Sequence, residues 1–197
     1  MNNLVKKPIR VIVKSAIYSY SKVFHRVKIE GKENIPKNEA LIFCGNHRTY
    51  LDPALITAVV KPNVRFLAKA ELAKNKFFAF LGNVFDDIIV NRNSKDVAAI
   101  KTSLKALKNG ECIGIFPEGT RNGLAKGEQV KEGAAFLALR SGARVIPVGI
   151  SGKTGPFSKV YLKFGKPLDF SNYDKKSEES LEKVTKEIMD NIIELSK

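Results

Sequence analysis

His47 and Asp52 are the residues of this chain best suited to proton chemistry. They stand in Gly45-Asn46-His47-Arg48-Thr49-Tyr50-Leu51-Asp52-Pro53, directly after an apolar run from Ala40 to Cys44 that predicts a buried strand. Histidine accepts protons near neutral pH. A nearby carboxylate fixes its tautomer and stabilises the imidazolium. Residues five apart on a continuous helix point about 140° away from each other. The chain must therefore turn between the two if they are to meet. Pro53 supports such a turn, because Asp-Pro starts helices with Asp as N-cap and Pro at the first helical position. His47 then falls in a loop between strand and helix, where α/β proteins often place chemistry. Taken alone, the pair has a plainer reading: Asp52 only caps a helix and His47 only bonds a loop carbonyl.

A second motif weighs against the plain reading. Phe116-Pro117-Glu118-Gly119-Thr120-Arg121 lies at the end of another apolar run, Cys112 to Phe116. In this order the two motifs resemble the glycerolipid acyltransferases, and most closely the 1-acylglycerol-3-phosphate (lysophosphatidate) acyltransferase family. The similarity runs from about Val27 to Leu168. Lys69-Ala70-Glu71-Leu72, Gly82 and Val90-Asn91-Arg92 match that family's second block, with Asn91 where Asp is usual and without the Pro that commonly follows Glu-Leu. Asn122 replaces the usual Ser after the third motif. Val145-Ile146-Pro147-Val148-Gly149-Ile150 corresponds to its apolar, proline-containing fourth.

The resemblance implies a reaction and roles. A fatty acyl group would pass from a thioester, on coenzyme A or acyl carrier protein, to the free hydroxyl of 1-acylglycerol-3-phosphate. The product would be phosphatidic acid, in phospholipid biosynthesis. His47 would be the general base, with Asp52 as its partner. Lys69 and the backbone N–H of Gly119 or Thr120 would face the oxyanion. Arg121 and Arg92 would bind the acceptor's phosphate, and Glu118 would orient Arg121 or the glycerol hydroxyl. Glycerol-3-phosphate or another lysolipid is the alternative acceptor. No cofactor is implied, and no Cys/His cluster has metal-ligand spacing.

Composition sets the wider frame. A chain of 197 residues suits one packed domain. The balance of 34 Lys and Arg against 20 Asp and Glu, a net +14, seeks anions. Nucleic acid is one such partner, but the aromatics lie mostly in apolar runs and Trp is absent, so a nucleic-acid surface is not expected. An anionic membrane surface is. Residues 1–25 read as a basic amphipathic helix, with Ile9, Ile12, Val13, Ala16, Ile17, Tyr20 and Phe24 on one stripe and Lys6, Lys7, Arg10, Lys14 and Lys22 elsewhere. An ordinary packing helix is the competing reading. No apolar run reaches the ~20 residues that span a bilayer, so the expected site is peripheral, on the cytoplasmic face of the cell membrane.

Residues 26–197 read as the acyltransferase domain, an α/β fold with a mixed, mainly parallel sheet flanked by helices. Strands are expected at Val27–Ile29, Ala40–Cys44, Asn63–Ala68, Ile88–Val90, Cys112–Phe116, Arg144–Ile150 and Lys159–Phe164. Pro147 suggests that its strand is an edge or carries a bulge. Helices are expected from Pro53 to about Val60, at Glu71–Phe80, from a Ser94 cap along a Val97, Ile100, Leu104 and Leu107 stripe, at Glu132–Arg140, and from Ser177 along Leu181, Val184, Ile188, Ile192 and Leu195. Cys44 and Cys112 read as buried free thiols.

Overall fold

A computed structural model describes residues 1–91, 96–153, 155 and 157–197. Its helices are α1 (Asn3–Phe24), α2 (Asp52–Val59), α3 (Lys76–Phe85), α4 (Val97–Lys108), α5 (Gly133–Ser141) and α6 (Glu178–Leu195). Its strands are β1 (Lys28–Glu30), β2 (Leu41–Gly45), β3 (Val64–Lys69), β4 (Ile88–Val90), β5 (Cys112–Ile115), β6 (Arg144–Gly152) and β7 (Val160–Phe164). They form one sheet in the order β1-β7-β6-β2-β5-β3-β4. Every pairing is parallel except β6 with β7. The expected α/β architecture is present, and an N-terminal helix precedes it.

The strand sequences explain the layers. β2 is apolar at every position before its terminal glycine because both of its faces are covered. Ile42 and Cys44 pack toward α4, α5 and α6, whereas Leu41 and Phe43 pack toward α2. The small residues Ala134, Ala135 and Ala138 bring α5 close to the first of these layers. Both cysteines are buried, and burial pushes both thiols up, away from the reactive thiolate.

Parallel pairing puts the motifs at one end. Cys44 of β2 is level with Ile115 of β5, so the loops after both strands leave the sheet side by side. Lys69 ends β3 level with Val90 at the end of β4. The carboxyl ends of four strands thus face one crevice, where open α/β sheets bind ligands.

Several expected details are corrected. β6 lies inside the sheet, between β2 and β7. Pro147 fits there because its carbonyl accepts from Gly165 N–H while the β6–β7 ladder begins only at Val148, so its missing donor lies at the ladder's end. The Glu71–Phe80 helix is split: a 3₁₀ turn covers Ala70–Lys74, and α3 starts after Asn75, whose side chain accepts from Phe77 and Phe78 N–H. Asp96 caps α4 through Ala99 N–H, and Ser94 lies outside the described residues. The buried side of α4 is Ala99, Ser103, Ala106 and Leu107; Val97 and Ile100 are exposed.

The largest correction concerns α1. Three of its cations face the protein. Lys14 Nζ donates to the carbonyls of Val60, Lys61 and Pro62, at the C-terminal end of α2. Arg10 Nε donates to Val84 O near the end of α3, and Arg10 and Lys6 both pair with Asp86, which caps α3 in a left-handed conformation. Helix C-termini carry orphan carbonyls and partial negative charge, which cations satisfy. Burial would raise the Asp86 carboxyl, but the hydrogen bond from Lys6 and the charge of Arg10 outweigh it and hold the group below its usual range. Burial, aided by the charge of Arg10, lowers Lys14 to about 8. Meanwhile Leu4 is 79% exposed and Ile12 68%, and Val11 and Val23 are also open. The apolar stripe drawn from the sequence is divided, with Ile9, Val13 and Ile17 partly buried.

Candidate active site

The loop after β2 closes on the Asp52 carboxylate. Asp52 Oδ2 meets His47 Nδ1 at 2.9 Å and accepts the N–H groups of Arg48 and Thr49 at 2.5 and 2.7 Å. Asp52 Oδ1 accepts the Thr49 hydroxyl at 2.8 Å. The carboxylate is 1% exposed, at the start of α2, where the helix dipole favours negative charge. Asp52 is the first helical residue and Leu51 holds the cap position, a one-residue shift from the sequence expectation. The chain does turn between His47 and Asp52, and the two side chains meet. With Nδ1 engaged, Nε2 is the ring nitrogen left for a substrate.

The second motif grips the same histidine from the other side. Glu118 Oε1 accepts His47 N–H at 3.0 Å, and Asn122 N–H donates to His47 O at 2.6 Å. Glu118 is 4% exposed. One of its carboxylate oxygens thus braces the loop after β2 from inside. Asn122 has φ +55°, a left-handed conformation that asparagine tolerates. Gly119, at φ +68°, donates its N–H to Phe116 O at 2.9 Å and so closes the turn. Asn46 braces the loop further, exchanging hydrogen bonds with Ile150 N–H and O at 2.7 and 2.8 Å.

The mouth is cationic. A cleft of about 1540 Å³ runs past His47, Lys69, Arg121, Lys126 and Lys131 and continues along Pro53 and Thr57 toward Ile17 of α1. Arg121 is exposed, stacks 3.7 Å from the Tyr50 ring centre and donates to the Tyr50 hydroxyl at 2.9 Å. Arg92 lies outside the described residues. Among the described residues no group of three His, Cys, Asp or Glu could hold a metal ion. Deeper in the cleft, burial lifts the Asp87 carboxyl to about 7 although it accepts Phe66 N–H at 3.0 Å.

Of the residues expected at the site, His47, Lys69, Gly119 and Arg121 line one cleft, and Asp52 is buried behind His47. The sequence reading passed over Asn46 and Tyr50, and over Lys126 and Lys131 in the cleft lining. Tyr50 carried a signal, an aromatic residue inside the first motif; the two lysines lay in a loop with no pattern to mark them.

The geometry is an imidazole hydrogen-bonded to a buried carboxylate beside a cationic rim. A family profile described as Acyltransferase matches residues 26–151. The chain belongs to the acyltransferase family. It is 34% identical over 136 residues to a 1-acyl-sn-glycerol-3-phosphate acyltransferase of Borreliella burgdorferi, a match covering 68% of this chain and 54% of that protein. It is 30% identical over 178 residues to one of Bacillus subtilis, covering 86% of this chain and 87% of that one. The crystal structure of the 1-acyl-sn-glycerophosphate acyltransferase PlsC from Thermotoga maritima superposes with a TM-score of 0.74 at 29% identity, covering 96% of this chain and 80% of that chain. The chain thus spans about half the length of the Borreliella relative and most of the Bacillus one. Its two family motifs are the two loops that clasp His47.

Proposed function

We propose that this acyltransferase moves a fatty acyl group from a thioester to the free hydroxyl of 1-acylglycerol-3-phosphate, forming phosphatidic acid for phospholipid synthesis. The observation that carries the reading is the 2.9 Å contact between His47 Nδ1 and the buried Asp52 carboxylate, at the head of a cleft rimmed by cations. An alcohol is a weak nucleophile at neutral pH. His47 Nε2 takes its proton as the oxygen attacks the thioester carbon. The tetrahedral intermediate collapses, the carbon–sulfur bond breaks, and the imidazolium returns the proton to the departing thiolate. Asp52 holds the tautomer and balances the transient positive charge.

Lys69 is the proposed cation for the oxyanion. Gly119 N–H is engaged in its turn, so Thr120 N–H is the backbone donor we assign to that role. Arg121 takes the acceptor phosphate. Its planar fork suits a phosphate, and Tyr50 holds it at the rim. Arg92 joins it on the resemblance alone.

Residues 1–25 dock the enzyme on the cytoplasmic face of a membrane, and residues 26–197 do the chemistry. No helix among the described residues is long and apolar enough to cross a bilayer. Docking by α1 draws on Leu4, Val11, Ile12 and Val23 more than on charge, because Lys6, Arg10 and Lys14 are turned inward. The donor carrier is coenzyme A or acyl carrier protein. Assaying the purified protein with both donors against lysophosphatidate, glycerol-3-phosphate and other lysolipids tests the assignment. We expect phosphatidic acid to form fastest from lysophosphatidate; a stronger preference for another acceptor would move the substrate and leave the chemistry.

A further inference from the structure

Under the His47 imidazole lies a column of rings. The imidazole stacks on Phe116 with centres 4.3 Å apart and planes 17° from parallel. Phe116 stacks in turn on Phe66 at 5.5 Å, again 17° from parallel. The column is built into the sheet. Phe66 lies against Gly114 on the neighbouring strand, where a Cβ would come within 2.3 Å of the Phe66 ring. Only glycine leaves room for the lower ring, so β3, β5 and the loop after β2 are shaped to one another around this stack.

We propose that Phe116 is a positioning residue that holds the His47 ring by its face and favours its protonated form during catalysis. The idea rests on the acyltransferase reading of His47. An aromatic face carries partial negative charge and attracts a cation within about 6 Å of its centre. The neutral imidazole gains little from it; the imidazolium formed when the alcohol loses its proton gains more. Phe116 thereby adds a neutral support beside Asp52 from α2 at Nδ1 and Glu118 from the turn after β5 at the backbone N–H, against the opposing charges of Arg48, Lys69, Arg121 and Lys131, which line the same cleft. The same ring screens one side of the imidazole from water, where a solvated cation would need no such partner.

The test is a titration of the His47 imidazole carbon by NMR, alongside steady-state kinetics with a thioester and lysophosphatidate. The chain has two histidines, so a His25→Ala variant assigns the signal. In Phe116→Leu the midpoint falls by about half a pH unit. Its kcat falls roughly three- to tenfold while KM for both substrates stays within about twofold. Phe116→Tyr, which keeps the face, restores both. If Phe116→Leu does not fold, a 3,5-difluorophenylalanine at position 116 decides the matter, because it keeps the shape and weakens the face. It lowers the midpoint in the same direction by a smaller step. An unmoved midpoint in the fluorinated protein, or in a folded Phe116→Leu, overturns the proposal and leaves Phe116 as packing. The titration needs no turnover, so loss of the acyltransferase reading would show separately, as wild-type protein that transfers no acyl group.

Discussion

The two motif loops and the N-terminal helix were equally suggestive as sequence, yet the loops close on partners within their own motifs while the helix's cations turn to distant parts of the chain. His47 and Asp52 are joined by a turn that both groups help to close, so their contact is settled within six residues. Every cation of α1 that faces inward is held by groups some 40 to 80 residues away: Val60, Val84 and Asp86. Spacing predicts a contact when the turn that makes it lies between the partners. Periodicity predicts a helix, but a helix with both a basic and an apolar stripe turns inward whichever one its distant neighbours need. Here two helix C-termini needed cations.

The loops are the more sensitive of the two regions. Asp52→Asn presents an amide N–H where His47 Nδ1 needs an acceptor, and it unbalances the imidazolium. We expect kcat to fall about 10³-fold or more with little change in KM; a fall of under tenfold would mean that Asp52 only closes the loop before α2. Arg121→Ala removes the guanidinium from the rim. The KM for lysophosphatidate should rise roughly 10- to 100-fold while that for the thioester holds; equal changes in both would take the phosphate away from Arg121.

At α1 the effects are smaller and separable. Lys14→Met leaves three carbonyls at the end of α2 without their donor and should lower the unfolding free energy by about 1–2 kcal/mol in a urea titration. Ile12→Asp should leave that titration alone and weaken binding to vesicles by about tenfold. The reverse pattern would restore the basic face as the membrane contact. The smallest effect lies deep in the cleft. Burial holds the Asp87 carboxyl at about 7 in the folded chain, against about 4 when unfolded. Between those values the folded state binds more protons, so stability declines as pH rises through that window. Asp87→Asn removes the decline, and its Tm should drop by a few degrees less than that of wild type between pH 5 and 8. Parallel Tm curves would show that Asp87 does not titrate there.

The strands, their parallel pairing and the meeting of the two motifs were legible because continuous apolar runs and local turns carry them. Ile42 and Cys44 alternate with Leu41 and Phe43, and a doubly covered strand needs nothing more. The contact of Glu118 with the His47 backbone was not legible, because it depends on Gly119 and Asn122 bending the chain so that the turn buries Glu118 and presents Arg121. Pro147 misled because the end of a ladder cannot be seen from one strand. Half of the expected α4 stripe holds, since Leu107 is buried and Leu104 packs against the core; the other half failed because Ala99, Ser103 and Ala106 are too small to stand out beside Val97 and Ile100, although small residues are what a close approach requires. The Phe116 column was invisible for the same reason as the capping lysines: β3 and β5 are adjacent in space and distant in sequence.

His47 is the residue we propose to remove the proton from the acceptor hydroxyl. His47→Ala, folded as judged by circular dichroism and mixed with a saturating acyl thioester and lysophosphatidate, should lose at least about 10³-fold in the single-turnover rate of phosphatidic acid formation. A rate within a few-fold of wild type would contradict the account.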